Sequence, residues 1–280
     1  MVIRRVESHF PGGGGRALFA RGWLPEVPER AVTLVHGFAE HTGRYERLGT
    51  WLAERGCAVH GCDLQGHGRS EGPRGHAASF TALVEDTEAF VGWVRREHPG
   101  KPLFVFGHSM GGLIVLGLTA LRAPELAGVV TSGAALHPAE LPPKLQIWAL
   151  RLLRLLLPRL RLSRPIAEDA LSRDPEVGRR YRADPLVFQF MTLSLAWAVY
   201  DGARRTLEAA PDVSLPVLLL HGGEDPLVLP TGSRAFYAAL GSPGSDLRIY
   251  PGLRHEILNE PEWESVAIEC VEWMREREAD

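Results

Sequence analysis

Residues Gly107-His108-Ser109-Met110-Gly111-Gly112 pinch a serine between glycines. Leu103-Phe104-Val105-Phe106 runs before them, apolar and mostly β-forming. Leu113-Ile114-Val115-Leu116-Gly117-Leu118 follows, apolar enough to continue as a buried helix. A serine at such a strand-to-helix turn has the form of a nucleophile elbow. The turn is so sharp that flanking side chains would clash with strand and helix, which is why glycines flank it. The serine must then accept a strained backbone. In return its hydroxyl stands clear of the sheet, at the positive end of the next helix. The chemistry implied is attack on a carbonyl carbon.

A serine hydroxyl is a poor nucleophile until a base takes its proton. The base is expected to be histidine, with a carboxylate to fix its tautomer. Around such an elbow the chain order is serine, then acid, then histidine. Of eleven histidines, only His221 and His255 follow a strand late in the chain. His221 ends its own strand and comes too early. His255 sits in the loop after the last strand and is the expected base. The loop Gly222-Gly223-Glu224-Asp225-Pro226 offers two carboxylates; Asp225 is preferred because the proline after it rigidifies the turn. An oxyanion would be met by two backbone N–H groups, those of Met110 and of Phe38 in His36-Gly37-Phe38.

These residues need a scaffold. Residues 2–10 and 16–24 read as a hairpin around the Gly12–Gly15 loop. Strands follow at 31–35, 57–62, 103–106, 128–132, 217–221 and 247–250. Helices are expected at 43–55, 79–97, after the elbow, near 231–240 and at 261–277. Alternating strands and helices give an α/β fold, a mostly parallel central sheet flanked by helices. The alternation stops between 136 and 206. That segment reads as a helical insertion without strands, laid over the sheet's C-terminal edge. The chain thus divides into a first core part, 1–135, the insertion, 136–206, and a second core part, 207–280.

The insertion carries twelve basic and seven acidic residues, so its charge is +5 against a total of -3. Leu145, Trp148, Leu152, Leu153, Leu155 and Leu156 form one apolar face beside Arg151 and Arg154, and Arg159, Arg161 and Arg164 follow Pro158. Such a helix suits an anionic membrane surface. The preferred expectation is plainer: the leucines pack onto the body and the arginines are solvated.

Composition excludes several classes. With 45% hydrophobic and 23% charged residues the chain is an ordinary globular one. A net charge of -3 without a basic stripe speaks against nucleic acid. Basic residues are arginine except Lys101 and Lys144, and Asn259 is the one asparagine. Cys57 and Cys62 sit five apart in one strand, on opposite faces, so they do not pair; with Cys270 they read as buried thiols. Met1–Glu7 has no apolar core of signal-peptide length, and no run is long enough to span a bilayer. A cytoplasmic home is expected, with peripheral membrane contact as the further option. A metal site from His36, His41, His67 and His76 has no support in ligand spacing.

The motifs together resemble the monoacylglycerol lipase and lysophospholipase branch of the α/β-hydrolases. The matching residues are His36-Gly37, Glu40-His41, Gly43-Arg44-Tyr45, Asp63, Gly66-His67-Gly68, Ser70, Gly72, the Gly107–Gly112 elbow, His221-Gly222 through Asp225-Pro226, and His255-Glu256. Ser172-Arg173-Asp174-Pro175 and Asp184-Pro185-Leu186 extend the match into the insertion. The resemblance implies a helical cap, an acyl tunnel, and cofactor-free hydrolysis of single-chain glycerol esters, with lysophospholipids or short-chain esters as the alternative. It implies that Glu40 and Arg44 lie near the polar end of the substrate, and His108 is grouped with them as substrate-facing. Some relatives carry a second histidine shortly after the catalytic one; here that position reads as Leu258. Dehalogenase or epoxide hydrolase chemistry would need an acidic nucleophile where Ser109 stands.

Overall fold

The computed structural model describes residues 2–138 and 144–278. Its strands are β1 (Arg4–Pro11), β2 (Ala17–Leu24), β3 (Arg30–Val35), β4 (Cys57–Cys62), β5 (Leu103–His108), β6 (Gly128–Ser132), β7 (Arg161–Ser163), β8 (Phe190–Thr192), β9 (Val217–Gly222) and β10 (Asp246–Tyr250). All but β7 and β8 form one sheet in the order β1-β2-β4-β3-β5-β6-β9-β10. The six strands from β4 to β10 run parallel, and the β1–β2 hairpin closes one edge antiparallel.

Parallel strands are covered on both faces, so their side chains divide between two cores. Val105, Val129, Val217 and Leu219 point to one side, under α2 (Phe80–Glu97), α3 (Met110–Arg122), α7 (Leu193–Glu208) and α8 (Pro230–Ala239). Phe104, Phe106, Val130, Leu218 and Leu220 point to the other, under α1 (Glu46–Ala53) and α9 (Trp263–Glu276). The same alternation separates Cys62 from Cys57 and Cys270; all three are buried and free. Ser79 starts α2 by accepting a hydrogen bond from the Ala82 N–H. The loops after β3, β5, β9 and β10 all leave the C-terminal edge of the sheet, as parallel pairing requires.

The middle segment departs from expectation in two ways. It holds α4 (Lys144–Leu156), α5 (Glu168–Leu171) and α6 (Pro175–Ala183) before α7, but it also has strands. β7 and β8 form an antiparallel ladder, Arg161↔Thr192 to Ser163↔Phe190. Three residues are too few to display a period of two, so the ladder left no mark on the hydrophobic pattern. The Thr192 N–H donates to Gly75 O at 2.9 Å and ties the ladder to the body. The second departure is α4. Trp148, Leu152, Leu155 and Leu156 are each more than 60% exposed instead of packed on the body. Leu150, on the opposite side, lines a cavity. The Leu145 side chain and residues 139–143, near the expected start of the insertion, lie outside the described residues.

Candidate active site

Ser109 stands at φ 53°, ψ -115°, between β5 and α3. A Cβ on Gly107 would come within 2.6 Å of Gly111 O, and one on Gly111 within 2.1 Å of Val35 O. Neither glycine can be replaced without parting the strand from its neighbours. The Ser109 N–H is held by Ser132 O at 2.9 Å, and Ser109 O accepts from the Leu113 and Ala135 N–H groups. The backbone strain is therefore fixed by bonds on both sides.

The loop after β10 brings His255 to this serine. His255 Nε2 lies 2.9 Å from Ser109 Oγ, and Nδ1 lies 2.6 Å from Asp225 Oδ2. An Nδ1–H donating to the carboxylate leaves the Nε2 lone pair facing the hydroxyl. Asp225 Oδ1 accepts from the Leu227 and Val228 N–H groups at 2.9 and 3.0 Å. Burial opposes the Asp225 charge, but the attraction of His255 and the hydrogen bonds of His221 and His255 outweigh it. The carboxyl is held far below its ordinary range. Burial likewise disfavours a charged His255, yet Asp225 prevails, and the imidazole is raised above 6.5.

Phe38 and Met110 line the cavity beside Ser109. Met110 is the first residue of α3, where an N–H has no acceptor within the helix. The Phe38 N–H is aimed by its own peptide unit. His36 Nε2 accepts from the Leu64 N–H at 2.9 Å, so Nδ1 carries the hydrogen and donates to Gly37 O at 2.7 Å. In a planar trans peptide, a carbonyl tied to His36 points the Phe38 N–H the opposite way. Ala39 follows with φ 59°, which turns the chain away. Burial lowers the His36 pKa and keeps the ring neutral for this task.

Glu40 and Arg44 border the same cavity. Glu40 Oε1 accepts from the Gly37 N–H at 2.6 Å and from Tyr45 Oη–H at 2.9 Å. Its Oε2 accepts from Arg44 at 2.7 Å. Burial works against its charge, but Arg44 dominates and holds the carboxyl down to about 2. The Arg44 guanidinium also binds Glu256 in bidentate fashion, at 2.8 and 3.0 Å, and lies 4.8 Å from the Tyr181 ring centroid. The role of Glu256 and Tyr181 in this network was not read from the sequence. The Glu beside His255 was a usable signal; Tyr181, in an arginine-rich helix, offered none. His108 also borders the cavity, with its ring 4.9 Å from that of His255. Its Nδ1 is engaged by Ser132 O and Oγ at 3.1 and 2.7 Å. Leu258 turns away and packs in the core beside α9.

The cavity has a volume of about 660 Å³, within the ~300–1,000 Å³ of small-molecule sites. It is also walled by Leu162, Ile166, Met191, Trp197 and Val199 of the middle segment and by Leu207 just after it. The other motif histidines serve loops. His41 accepts from the Gly43 N–H and donates to Asp184; His76 lies 3.1 Å from Thr192 Oγ1. Among the described residues, no group of three or more His, Cys, Asp or Glu is set to hold a metal ion.

Residues 26–262 match a family model described as serine aminopeptidase, S33. The monoacylglycerol lipase of Mycolicibacterium smegmatis is 35% identical over 272 residues, covering 96% of this chain and 97% of that protein. Human monoglyceride lipase is 33% identical over 276 residues, covering 97% and 91%. Among solved structures, the Paleococcus ferrophilus monoacylglycerol lipase superposes with a TM-score of 0.83 at 32% identity, covering 99% of this chain and all of that one.

Proposed function

Because the chain belongs to the monoacylglycerol lipase-like branch of the α/β-hydrolases, we propose that it hydrolyses monoacylglycerols to glycerol and fatty acid. Ser109 Oγ attacks the ester carbonyl while His255 Nε2 takes its proton. Asp225 holds the resulting imidazolium. The tetrahedral oxyanion accepts from the Phe38 and Met110 N–H groups, each worth about 10²–10³ in turnover. His255 then returns the proton to the departing glycerol oxygen. Water repeats the sequence on the acyl-enzyme and releases the fatty acid. Residues 136–206 act as the cap, with the acyl chain under it.

The observation that carries this reading is the composition of the cavity wall. Most of the lining is aliphatic and aromatic, with Arg164 and Arg204 also on it. The polar part sets two carboxylates, Glu40 and Glu256, against one guanidinium, Arg44, which donates three hydrogen bonds to them. An acyl chain suits the first. A neutral polyol suits the second, because its hydroxyls can donate to carboxylate oxygens, whereas an anionic phosphate would meet excess buried negative charge. The same balance argues against the lysophospholipid alternative. The unpaired thiols suit a reducing, cytoplasmic compartment. No helix among the described residues is long and apolar enough to cross a membrane. Contact with a lipid surface is assigned to the exposed face of α4.

A hydrolysis panel tests the assignment: monoacylglycerol, lysophospholipid and short aryl ester, the first two with matched acyl chains, plus an aminoacyl amide. Monoacylglycerol should give the highest kcat/KM, and Ser109→Ala should lose about 10⁶ in turnover. Equal or faster lysophospholipid cleavage, or substantial activity in Ser109→Ala, contradicts it.

A further inference from the structure

His221, the last residue but one of β9, is wholly buried, and it does not border the cavity. Its Nδ1 lies 2.8 Å from Ser233 Oγ on α8. Its Nε2 lies 3.0 Å from Val228 O and 3.2 Å from Asp225 Oδ2. Both neighbours of Nε2 are acceptors, which fixes the tautomer: Nε2 carries the hydrogen and Nδ1 accepts from the Ser233 hydroxyl. The Asp225 oxygen it faces is the one that accepts from His255 Nδ1. Asp225 Oδ1 is already held by the Leu227 and Val228 N–H groups.

We propose that His221 is a positioning residue of the site: its Nε2–H shares Asp225 Oδ2 with His255, and so sets the carboxylate's orientation and the strength of its hold on the catalytic imidazole. This rests on the reading of Ser109, His255 and Asp225 as the catalytic triad. The sign of the effect follows from the bonding. Each donor on a carboxylate lowers its basicity. With the His221 donor removed, Asp225 pulls harder on the His255 proton, so His255 gives up its charge only at higher pH. The carboxylate also loses one of its constraints and can rotate. The other groups facing His255 are Glu256, Glu40 and the His108 ring, with Arg44 paired to both glutamates. None of them is bonded to His221, so a substitution there leaves their contribution in place.

The test compares His221→Phe with His221→Gln in the full chain, using a soluble aryl ester and thermal melting to confirm folding. The Phe variant should lose about tenfold to a hundredfold in kcat, with KM little changed, as expected for small misplacement of a reacting group. The acid limb of its kcat/KM profile should move to higher pH. The Gln variant, whose amide N–H reaches the same position, should return the limb to that of the unaltered protein and recover most of the turnover. A folded Phe variant with an unmoved limb overturns the proposal, even if kcat falls. So does a Gln variant no better than Phe on both measures. If the Phe variant does not fold, Ser233→Ala, which frees the His221 tautomer, should move the limb the same way by less; no movement overturns the proposal. Asp225→Asn separates the two readings. If it keeps full turnover, the triad assignment fails and this proposal falls with it. If it loses turnover while the His221 variants leave the limb in place, only the role of His221 is refuted.

Discussion

On the proposed mechanism, His255 must be neutral to accept the Ser109 proton. Its pKa therefore sets the acid side of the activity profile. Burial pushes that pKa down, and Asp225, aided by Glu256 and Glu40, pushes it up by more, so it stands above 6.5. The fraction of enzyme with a free Nε2 lone pair falls as pH drops through that value. The kcat/KM of a soluble ester should accordingly show an acid limb centred above pH 6.5; a midpoint at or below 6.5 would contradict the balance of charges described for the site. At this scale much was legible. Ser109, Asp225 and His255 have residue types that serine hydrolysis combines, at places in the strand order that bring loop ends to one edge, and the structure places them within hydrogen-bond distance of one another. His221 was legible only as a rejected base. Its work for Asp225 depends on which way an imidazole turns at the end of β9, and no spacing encodes that. His36 is similar, since its value lies in one carbonyl it holds.

Between elements, the loop carrying His255 is gripped by the middle segment. Glu260 is almost wholly buried and accepts from Ser172 Oγ, from the Arg173 N–H and Nε, and from the Arg254 N–H. On the other side of His255, the Glu256 N–H donates to Leu171 O at 2.8 Å. The imidazole is thus bracketed by two bonds that register the loop against α5 and the chain after it. Glu260→Ala leaves those donors without a carboxylate, and each buried orphan costs about 1–3 kcal/mol. A drop in Tm of several degrees should follow, about 2–4 °C per kcal/mol for a chain of this size. Turnover of a short soluble ester should fall as far as that of a long-chain ester, because the proposed base, His255, and not the apolar cavity wall is displaced. A variant that spares the short ester would show that the grip does not reach His255. Strands such as β5 and β9 were legible because unbroken apolar runs of four residues, Leu103–Phe106 and Val217–Leu220, fit a sheet covered on both faces. The β7–β8 ladder was not, because pairing of three residues depends on a partner almost thirty positions away. Glu260 escaped notice for a related reason: its donors come from two separate parts of the chain.

Across the whole molecule, charge and apolar surface are distributed unevenly. The middle segment is positive while the total is negative. On α4 the exposed residues Trp148, Leu152, Leu155 and Leu156 stand beside Arg151. Leu150 and Leu162, close in the same segment, border the cavity, so the outer apolar face lies next to the cavity's apolar wall. Seating a leucine in lipid contributes about 1.5–3 kcal/mol. Replacing Leu152, Leu155 and Leu156 with glutamine should therefore lower co-sedimentation with anionic vesicles, and hydrolysis of monoacylglycerol in them, by more than about tenfold. Hydrolysis of a soluble ester should stay unchanged. Equal vesicle binding by the triple variant would remove α4 from that role. The stripe of leucines was visible in the sequence. Its direction was not, because periodicity defines a face without saying whether protein or solvent meets it.

The elbow glycines have a consequence for how the chain can be studied. A Cβ at Gly111 would collide with Val35 O and one at Gly107 with Gly111 O, so the conformation of Ser109 is set where β3, β5 and α3 pack together. A partly assembled chain carries the same hydroxyl but not its posture. Covalent capture by an electrophilic phosphonate thus counts correctly assembled molecules, and its time course after dilution from denaturant would clock the last stage of maturation.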